Sequence, residues 1–350
     1  MDVVFKEPSI CCISDIHIGV HQNSIEWHKI TLQWAKWLRD ELNEKGIKDI
    51  VISGDVFHYR DEVAVNTMHF ASEVLDIWDD FNIVMLVGNH DAYYKDRSDV
   101  NSLSILKGWK NVTVIQEPCN TTLYERNITF CPWGTTLDDI PKSDVIFGHF
   151  EIQTFKQNSF KMCDDGMTSA DLLEKSKLTI SGHFHLRDER VYSNGTILYL
   201  GNPFQMDFGD VDSTKGYYIL DLNTLEYEFT ENKLSPEHKK IYLSKLVKTG
   251  NITPEIKREF KGNFVKFIID KNISPDEVDI VIRKLMSLNP LSINVDYAAN
   301  FNKYKLDDDL KADFSGIDIE TAIKEFVNLM EIDNKKEVSE YTLSLYRKCT

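Results

Sequence analysis

Five short apolar runs in this 350-residue chain each end in a small residue followed at once by side chains of metal-binding type. The run Ile10 to Ser14 leads into Asp15 and His17, Ile50 to Gly54 into Asp55, and Ile83 to Gly88 into Asn89, His90 and Asp91. Val145 to Gly148 precedes His149, and Leu178 to Gly182 precedes His183 and His185. An isolated histidine at a strand end is more often a hydrogen-bonded structural residue than a ligand, but five recurrences reverse that balance. Six of the ten histidines fall at or beside these ends, counting His58, three residues after Asp55. His21, His28, His69 and His238 lack such a setting and receive no role.

Imidazole, carboxylate and amide without thiolate suit manganese, iron or zinc better than calcium or copper. Two divalent ions about 3.5–4 Å apart need a shared anionic ligand, and Asp55 is the natural bridge. Such a pair acidifies a bound water and clamps the attacking and leaving oxygens of an in-line displacement at phosphorus. A spare histidine would then stabilise the departing oxygen. His90 suits that task because Asp91 beside it could orient or charge its imidazole.

The elements that must position these residues follow from patterning. To about residue 230, runs rich in Ile, Val and Leu alternate with amphipathic stretches, as α/β layers require. A helix from about Ser24 to Lys45 would carry Trp27, Ile30, Trp34, Trp37 and Leu38, and a second, about Val63 to Asp79, Val65, Phe70, Val74, Leu75 and Trp78. In open α/β sheets ligands collect beyond the carboxyl ends of the strands, so the five tips can converge, with glycine letting the backbone turn sharply there. Beyond Thr113 strands come closer together. From about residue 235 the pattern changes to strand (264–269), helix (275–288), strand (291–297), which suits a small separate domain. After a polar stretch around Lys303 to Asp313, Ile319, Ile323, Phe326, Val327 and Met330 would share one helical face, and Tyr341, Leu345 and Tyr346 a shorter one.

Apolar residues make up 42% of the chain, enough for a sizeable core. A net charge of -16 argues against a protein that coats nucleic acid, since non-specific affinity comes mainly from Lys and Arg. The local basic pairs Lys95 and Arg97, Lys156 and Lys161, and Arg187 and Arg190 lie near the metal-type blocks. Six cysteines without a C-x-x-C pair imply neither a disulfide framework nor a zinc knuckle. No signal-like segment and no apolar run of about 20 residues is evident, so no membrane partner is expected and the cytoplasm is the expected compartment. Trp133, after a strand, reads as a packing residue.

Taken together, Asp15-x-His17, Gly54-Asp55, Gly88-Asn89-His90-Asp91, Gly148-His149 and Gly182-His183-x-His185 resemble the calcineurin-like metallophosphoesterase family, over roughly residues 9 to 222. The resemblance implies a layered α-β-β-α sandwich in which one metal takes Asp15, His17, Asp55 and His185. The second takes Asp55, Asn89, His149 and His183, leaving His90 for the phosphate and leaving group. Two divalent ions are implied, manganese first, with magnesium, iron or zinc as alternatives.

That family spans protein phosphatases, cyclic-nucleotide phosphodiesterases and nucleases, so fold alone does not choose a substrate. Where the phosphatases follow the bridging Asp with a Val-Asp-Arg type sequence, this chain has Val56-Phe57-His58. That form resembles the SbcD-type recombination nucleases, phage branch, in which the histidine helps position the DNA phosphate. Tyr199-Leu200-Gly201-Asn202-Pro203, Phe208-Gly209 and Lys215-Gly216-Tyr217 are similar to the segment those nucleases carry after the last metal histidines.

The resemblance further implies a nuclease domain over 1–235, a DNA-capping α+β domain over 236–300, and a linker with a helical tail over 301–350. The tail would dock on an SbcC-type coiled-coil ATPase, although its faces would serve equally to pack on the chain itself. The expected activity is exonuclease action on duplex DNA ends and endonuclease action on single strands. A homodimer is left open. The alternatives are a phosphoesterase for small molecules or phosphoproteins, and a scaffold of the same fold without catalysis.

Overall fold

The computed structural model describes residues 3–157, 161–249, 252–298, 319–329 and 334–349. Strands β1 (Ser9–Ile13), β2 (Asp49–Ile52), β3 (Asn82–Leu86) and β4 (Val112–Ile115) lie parallel and adjacent in one six-stranded sheet. Helices α1 (Ile25–Glu44) and α2 (Val65–Ile77) supply the crossovers. On α1 the buried residues Trp27, Ile30, Thr31, Trp34, Ala35, Leu38 and Leu42 recur at helical spacing, so a single apolar stripe faces the sheet. Trp34 and Trp78 meet edge to face, 5.5 Å between ring centres, and the Trp78 indole donates to the Ala35 carbonyl at 3.0 Å.

The second six-stranded sheet contains β5 (Cys119–Leu123), β6 (Arg126–Cys131), β7 (Ser143–His149), β8 (Ser176–Gly182), β9 (Asp188–Tyr192) and β10 (Gly195–Tyr199). Its spatial order is β5-β6-β7-β8-β10-β9, with helix α3 (Ser169–Lys175) between β7 and β8 in the chain. The chain then returns to the first sheet through β11 (Gly216–Asp221), antiparallel to β1, and β12 (Tyr227–Glu231).

Alternation along the strands produces the layers. Cys11 and Ile13 join the core under α1 and α2, whereas Ile10 and Cys12 face Phe130, Phe147 and Ile180 of the other sheet. A third cluster, with Ile146, Leu172, Ile197 and Tyr199, covers the far face of the second sheet. The order is therefore helix, sheet, sheet, helix.

A three-stranded sheet follows, β13 (His238–Tyr242), β14 (Phe264–Ile269) and β15 (Ser292–Tyr297), with α4 (Leu243–Thr249), α5 (Pro254–Phe260) and α6 (Pro275–Met286). Ser274 caps α6, accepting from the Glu277 N–H while Glu277 accepts from the Ser274 N–H, and Pro275 occupies the first turn. This sheet has its own core, including Phe260, Val265, Phe267 and Leu285. It meets the larger layers where Trp27 stacks on Phe264 at 5.1 Å and 5°.

Met1–Asp296 make one compact unit and Tyr297–Thr350 a second. In the second, α7 (Ile319–Leu329) and α8 (Lys335–Cys349) pack together, with Val327 and Leu343 buried and Arg347 paired to Glu320 at 2.6 Å. Phe326 and Tyr341, expected on apolar stripes, are instead 66% exposed. Met330 and the polar stretch 303–313 lie outside the described residues. Among the described residues no helix is long and apolar enough to cross a membrane.

Candidate metal centre

The tips of β1, β2, β3, β7 and β8 bring all five sequence blocks to one end of the two sheets, with Asp15, His17, Asp55 and His149 at most 1% exposed. Close approach of the tips requires glycine. A Cβ on Gly54 would run into the His149 ring, one on Gly88 into the Asp55 carboxylate, and one on Gly182 into Ser14 and Ser53. Asp15, His17, Asp55 and His183 all have positive φ, between 51° and 95°. Four of the seven candidate ligands thus hold a backbone conformation that costs of order 1–3 kcal/mol each and that clusters at functional sites.

Two groups of donors face each other across Asp55. On one side His17 Nε2 lies 2.9 Å from His185 Nε2 and 4.0 Å from Asp15 Oδ1. On the other, Asn89 Oδ1 lies 2.9 Å from His149 Nε2 and 2.7 Å from His183 Nδ1. Asp55 offers a separate oxygen to each group: Oδ2 stands 3.7 Å from His17 Nε2 and Oδ1 3.4 Å from His149 Nε2. The grouping Asp15, His17, His185 against Asp55, His149, His183 follows from ligand atoms that lie within 4.8 Å of one another.

Charges in this cluster are tightly coupled. Burial works against the Asp55 charge, yet His149 and His17 hold its carboxyl well below the usual carboxylate range. Burial likewise opposes a charge on His149, but Asp55 pushes its pKa up to about 9. Burial, reinforced by His185, lowers His17 and keeps it as the neutral, ligating imidazole. A cation between Asp55 and His149 would displace the shared proton, as metal binding to imidazole does.

His58 and His90 stand beside these groups. The three rings of His17, His58 and His90 form a third set of close donors, His58 and His90 stacked at 5.4 Å. The His90 main-chain N–H donates to Asp55 Oδ1 at 2.8 Å, and its ring Nδ1 meets the His58 carbonyl at 2.6 Å. That contact places the proton on Nδ1 and leaves Nε2 to exchange a proton. Burial, then His90, lowers the His58 pKa to about 4.

Asp91 differs from the expectation that it orients or charges His90. Its buried carboxylate accepts from the N–H groups of Val56, Phe57 and Gly88, at 3.2, 2.9 and 3.0 Å. It therefore ties the loop after β2 to the loop after β3, and the His58 carbonyl does the orienting. Burial and the nearby Asp55 charge push its pKa up to about 7.

Three neighbours stand outside the five metal-type blocks, and of these Glu151 was not singled out by sequence. Glu151 Oε1 lies 3.4 Å from His183 Nε2, on the far side of that ring from Asn89. Hydrogen bonding to His183 holds Glu151 below its ordinary range. Lys215, inside a pattern noted only by resemblance, donates from a buried position to the His185 carbonyl at 2.7 Å and to Asp210 at 2.6 Å. Trp133 packs its ring 5.2 Å from His183 and anchors the loop after β3 by donating to the Lys95 carbonyl at 2.7 Å. A hollow of about 570 Å³ between Lys107 and Cys119, at the sheet edges, holds none of the candidate ligands.

The donor set fits two divalent ions sharing Asp55: four imidazoles, two carboxylates and one amide oxygen, with no thiolate among them. Cys11 and Cys12 are buried, and burial pushes both thiols up.

Parallel strands in two layers, with a histidine-aspartate centre at their carboxyl ends, define a metal-dependent phosphoesterase. Residues 8–187, about half of the chain, match the calcineurin-like phosphoesterase family, and the chain belongs to that family. Over 358 aligned residues it is 26% identical to exonuclease subunit 1 of Enterobacteria phage T4, covering 97% of this chain and 98% of that protein. Among solved structures it is similar to a dimetal phosphatase from Danio rerio (9% identity, 66% of this chain and 96% of that one, TM-score 0.41). It is also similar to the anchor in the inner membrane complex of Plasmodium (13% identity, 65% and 85%, TM-score 0.42).

Proposed function

We propose that this protein is a two-metal DNA nuclease, an exonuclease on duplex ends and an endonuclease on single strands. The observation that carries the reading is Asp55, which turns one carboxylate oxygen to each of two donor groups. One ion is assigned to Asp15, His17, Asp55 and His185, the other to Asp55, Asn89, His149 and His183. When bound, the ions supply an acidified water and charge stabilisation at phosphorus. Manganese is the assigned metal, from the mixed nitrogen and oxygen donors.

The remaining chemistry belongs to the chain's own groups. His90, held through Nδ1 by the His58 carbonyl, is assigned, in its doubly protonated form, the delivery of a proton from Nε2 to the departing oxygen. His58 is assigned to the non-bridging phosphate oxygens. Asp91 keeps both loops in register. The full-length similarity to a phage exonuclease subunit supports DNA as the substrate.

In this reading residues 1–235 form the nuclease domain, 236–300 cap the DNA and 301–350 bind a partner, an SbcC-type coiled-coil ATPase, in the cytoplasm. The exposed Phe326 and Tyr341 are the side chains assigned to that partner. An acidic chain needs such help, because a net charge of -16 repels the DNA backbone at long range.

The test incubates the purified chain and manganese, in separate reactions, with linear duplex DNA, circular single strands, a phosphopeptide and a cyclic nucleotide. Cleavage of the two DNAs is expected. Turnover of the phosphopeptide or cyclic nucleotide with both DNAs intact overturns the proposal.

A further inference from the structure

Three hollows adjoin one another along the mouth of the metal centre. One of about 550 Å³ is lined by His21, His58, Tyr59 and His185, and a second, of about 480 Å³, by His185, Gln157 and Phe208. They share His185 and Asp207. A third, of about 440 Å³, shares Leu186 with the second and is lined by Lys156, Arg187, Arg190, Ser213 and Thr214. A trough thus runs from His58, past His185, to a basic end.

That end gathers three cations against one carboxylate, Asp188, in a chain whose net charge is -16. Both arginines are held in place. Arg187 donates to the Tyr218 hydroxyl at 3.1 Å and lies 4.2 Å above the Phe229 ring. Arg190 donates to the Thr154 hydroxyl and carbonyl, both at 2.9 Å, and to Asp188 at 3.2 Å, over the Phe155 ring at 3.7 Å. Guanidinium groups fixed in this way lose little freedom on meeting an anion, and their planar donors match phosphate oxygens.

No aromatic side chain lines this third hollow, so it offers a base no stacking surface. The other basic pair near the site is less suited. Arg97 lies outside the trough, lining none of the three hollows.

We infer that the Lys156, Arg187 and Arg190 hollow is a phosphate subsite that binds a backbone phosphate of the substrate strand, adjacent to the linkage being cut on the His185 side. The inference rests on the nuclease reading. It assigns to this chain, without any partner, a contact that only an oligonucleotide reaches.

The experiment compares the full chain, Lys156→Gln, Arg187→Gln and the double variant, with manganese, on oligothymidylates of increasing length and on bis(p-nitrophenyl) phosphate. The small diester ends short of the hollow, so its rate is expected to be the same in all four proteins. For oligonucleotides, KM is expected to rise about tenfold for each lost cation with kcat little changed. The slope of log KM against log salt is expected to fall by about 0.7 for each phosphate contact removed from a single strand. Lys156 is exposed, so Lys156→Gln decides the matter if Arg187→Gln loses its packing on Phe229 and fails to fold. Oligonucleotide kinetics within twofold of wild type in a folded Lys156→Gln variant overturn the subsite and leave the nuclease reading standing. Wild-type hydrolysis of the small diester with no cleavage of any oligonucleotide overturns both.

Discussion

Lys215 Nζ donates to the main-chain carbonyl of His185 at 2.7 Å, from a side chain only 3% exposed. Asp210 neutralises it and also accepts from the Met206 N–H at 2.9 Å, so the pair fixes the turn that carries the last candidate ligand. Lys215→Met would leave the Asp210 charge buried and alone, which costs about 3 kcal/mol and several degrees of melting temperature. Adding Asp210→Asn is expected to restore much of the stability while activity stays low, because the His185 carbonyl still lacks its donor. Calorimetry beside nuclease assays checks this; activity returning together with stability would show the brace to be unimportant.

Asp55→Asn should abolish turnover on every substrate, since the bridging charge holds both donor groups. Chelation should lower the melting temperature of wild type and leave that of the variant unchanged, because only the wild type gains stability from bound ions, about 2.7 kcal/mol at a hundred times the dissociation constant. More than a few per cent of wild-type rate at saturating manganese, a barrier change under about 2 kcal/mol, would falsify the bridging role.

His90→Asn and His58→Ser should behave differently, keeping metal while losing rate. Metal analysis on the purified variants, read beside kinetics, separates the cases. Metal loss from either would move that histidine into the ligand set.

His238 gives a pH prediction outside the set of candidate ligands. Its ring is buried, stacked on Phe264 at 4.9 Å and near-parallel to Trp27 at 6.0 Å, where the small third sheet meets α1. Burial lowers its pKa from 6.5 to about 4. The folded chain therefore keeps it neutral while the unfolded chain protonates it, so its contribution is whole above about pH 6.5 and is lost as pH falls toward 4. The loss amounts to at most about 3 kcal/mol. His238→Phe should flatten that part of the stability curve, measured as melting temperature between pH 7 and pH 4.5; an unchanged slope would place the acid sensitivity elsewhere.

If the tail binds a coiled-coil ATPase as proposed, truncation after about Asp313 should leave a metal-dependent nuclease with unchanged melting temperature that no longer co-purifies with that partner. A fall of several degrees with aggregation would mean that α7 and α8 complete the chain's own core.

The sequence alone determined which residues could form the centre, because strands buried on both faces are contiguous apolar runs and the metal-type side chains follow within a few residues of their ends. The helices α1 and α2 were also legible from apolar spacing, although Val65, expected on the apolar face of α2, is 84% exposed. The edge strands β9, β12 and β13 were not: Asp188-Glu189-Arg190, Tyr227-Glu228-Phe229 and His238-Lys239-Lys240 present charged faces to solvent and break any apolar run. Tertiary structure decided everything that depends on pairing across the chain. The His183 N–H meets the Asp15 carboxylate from 168 residues away, Asp91 braces Val56 and Phe57 in place of turning to its neighbour His90, and Glu151 and Lys215 support histidines from outside the five metal-type blocks. Local sequence specifies side-chain chemistry and the period of its element, whereas which oxygen faces which nitrogen is set by how two sheets pack, and that is encoded only in the summed contacts of distant segments.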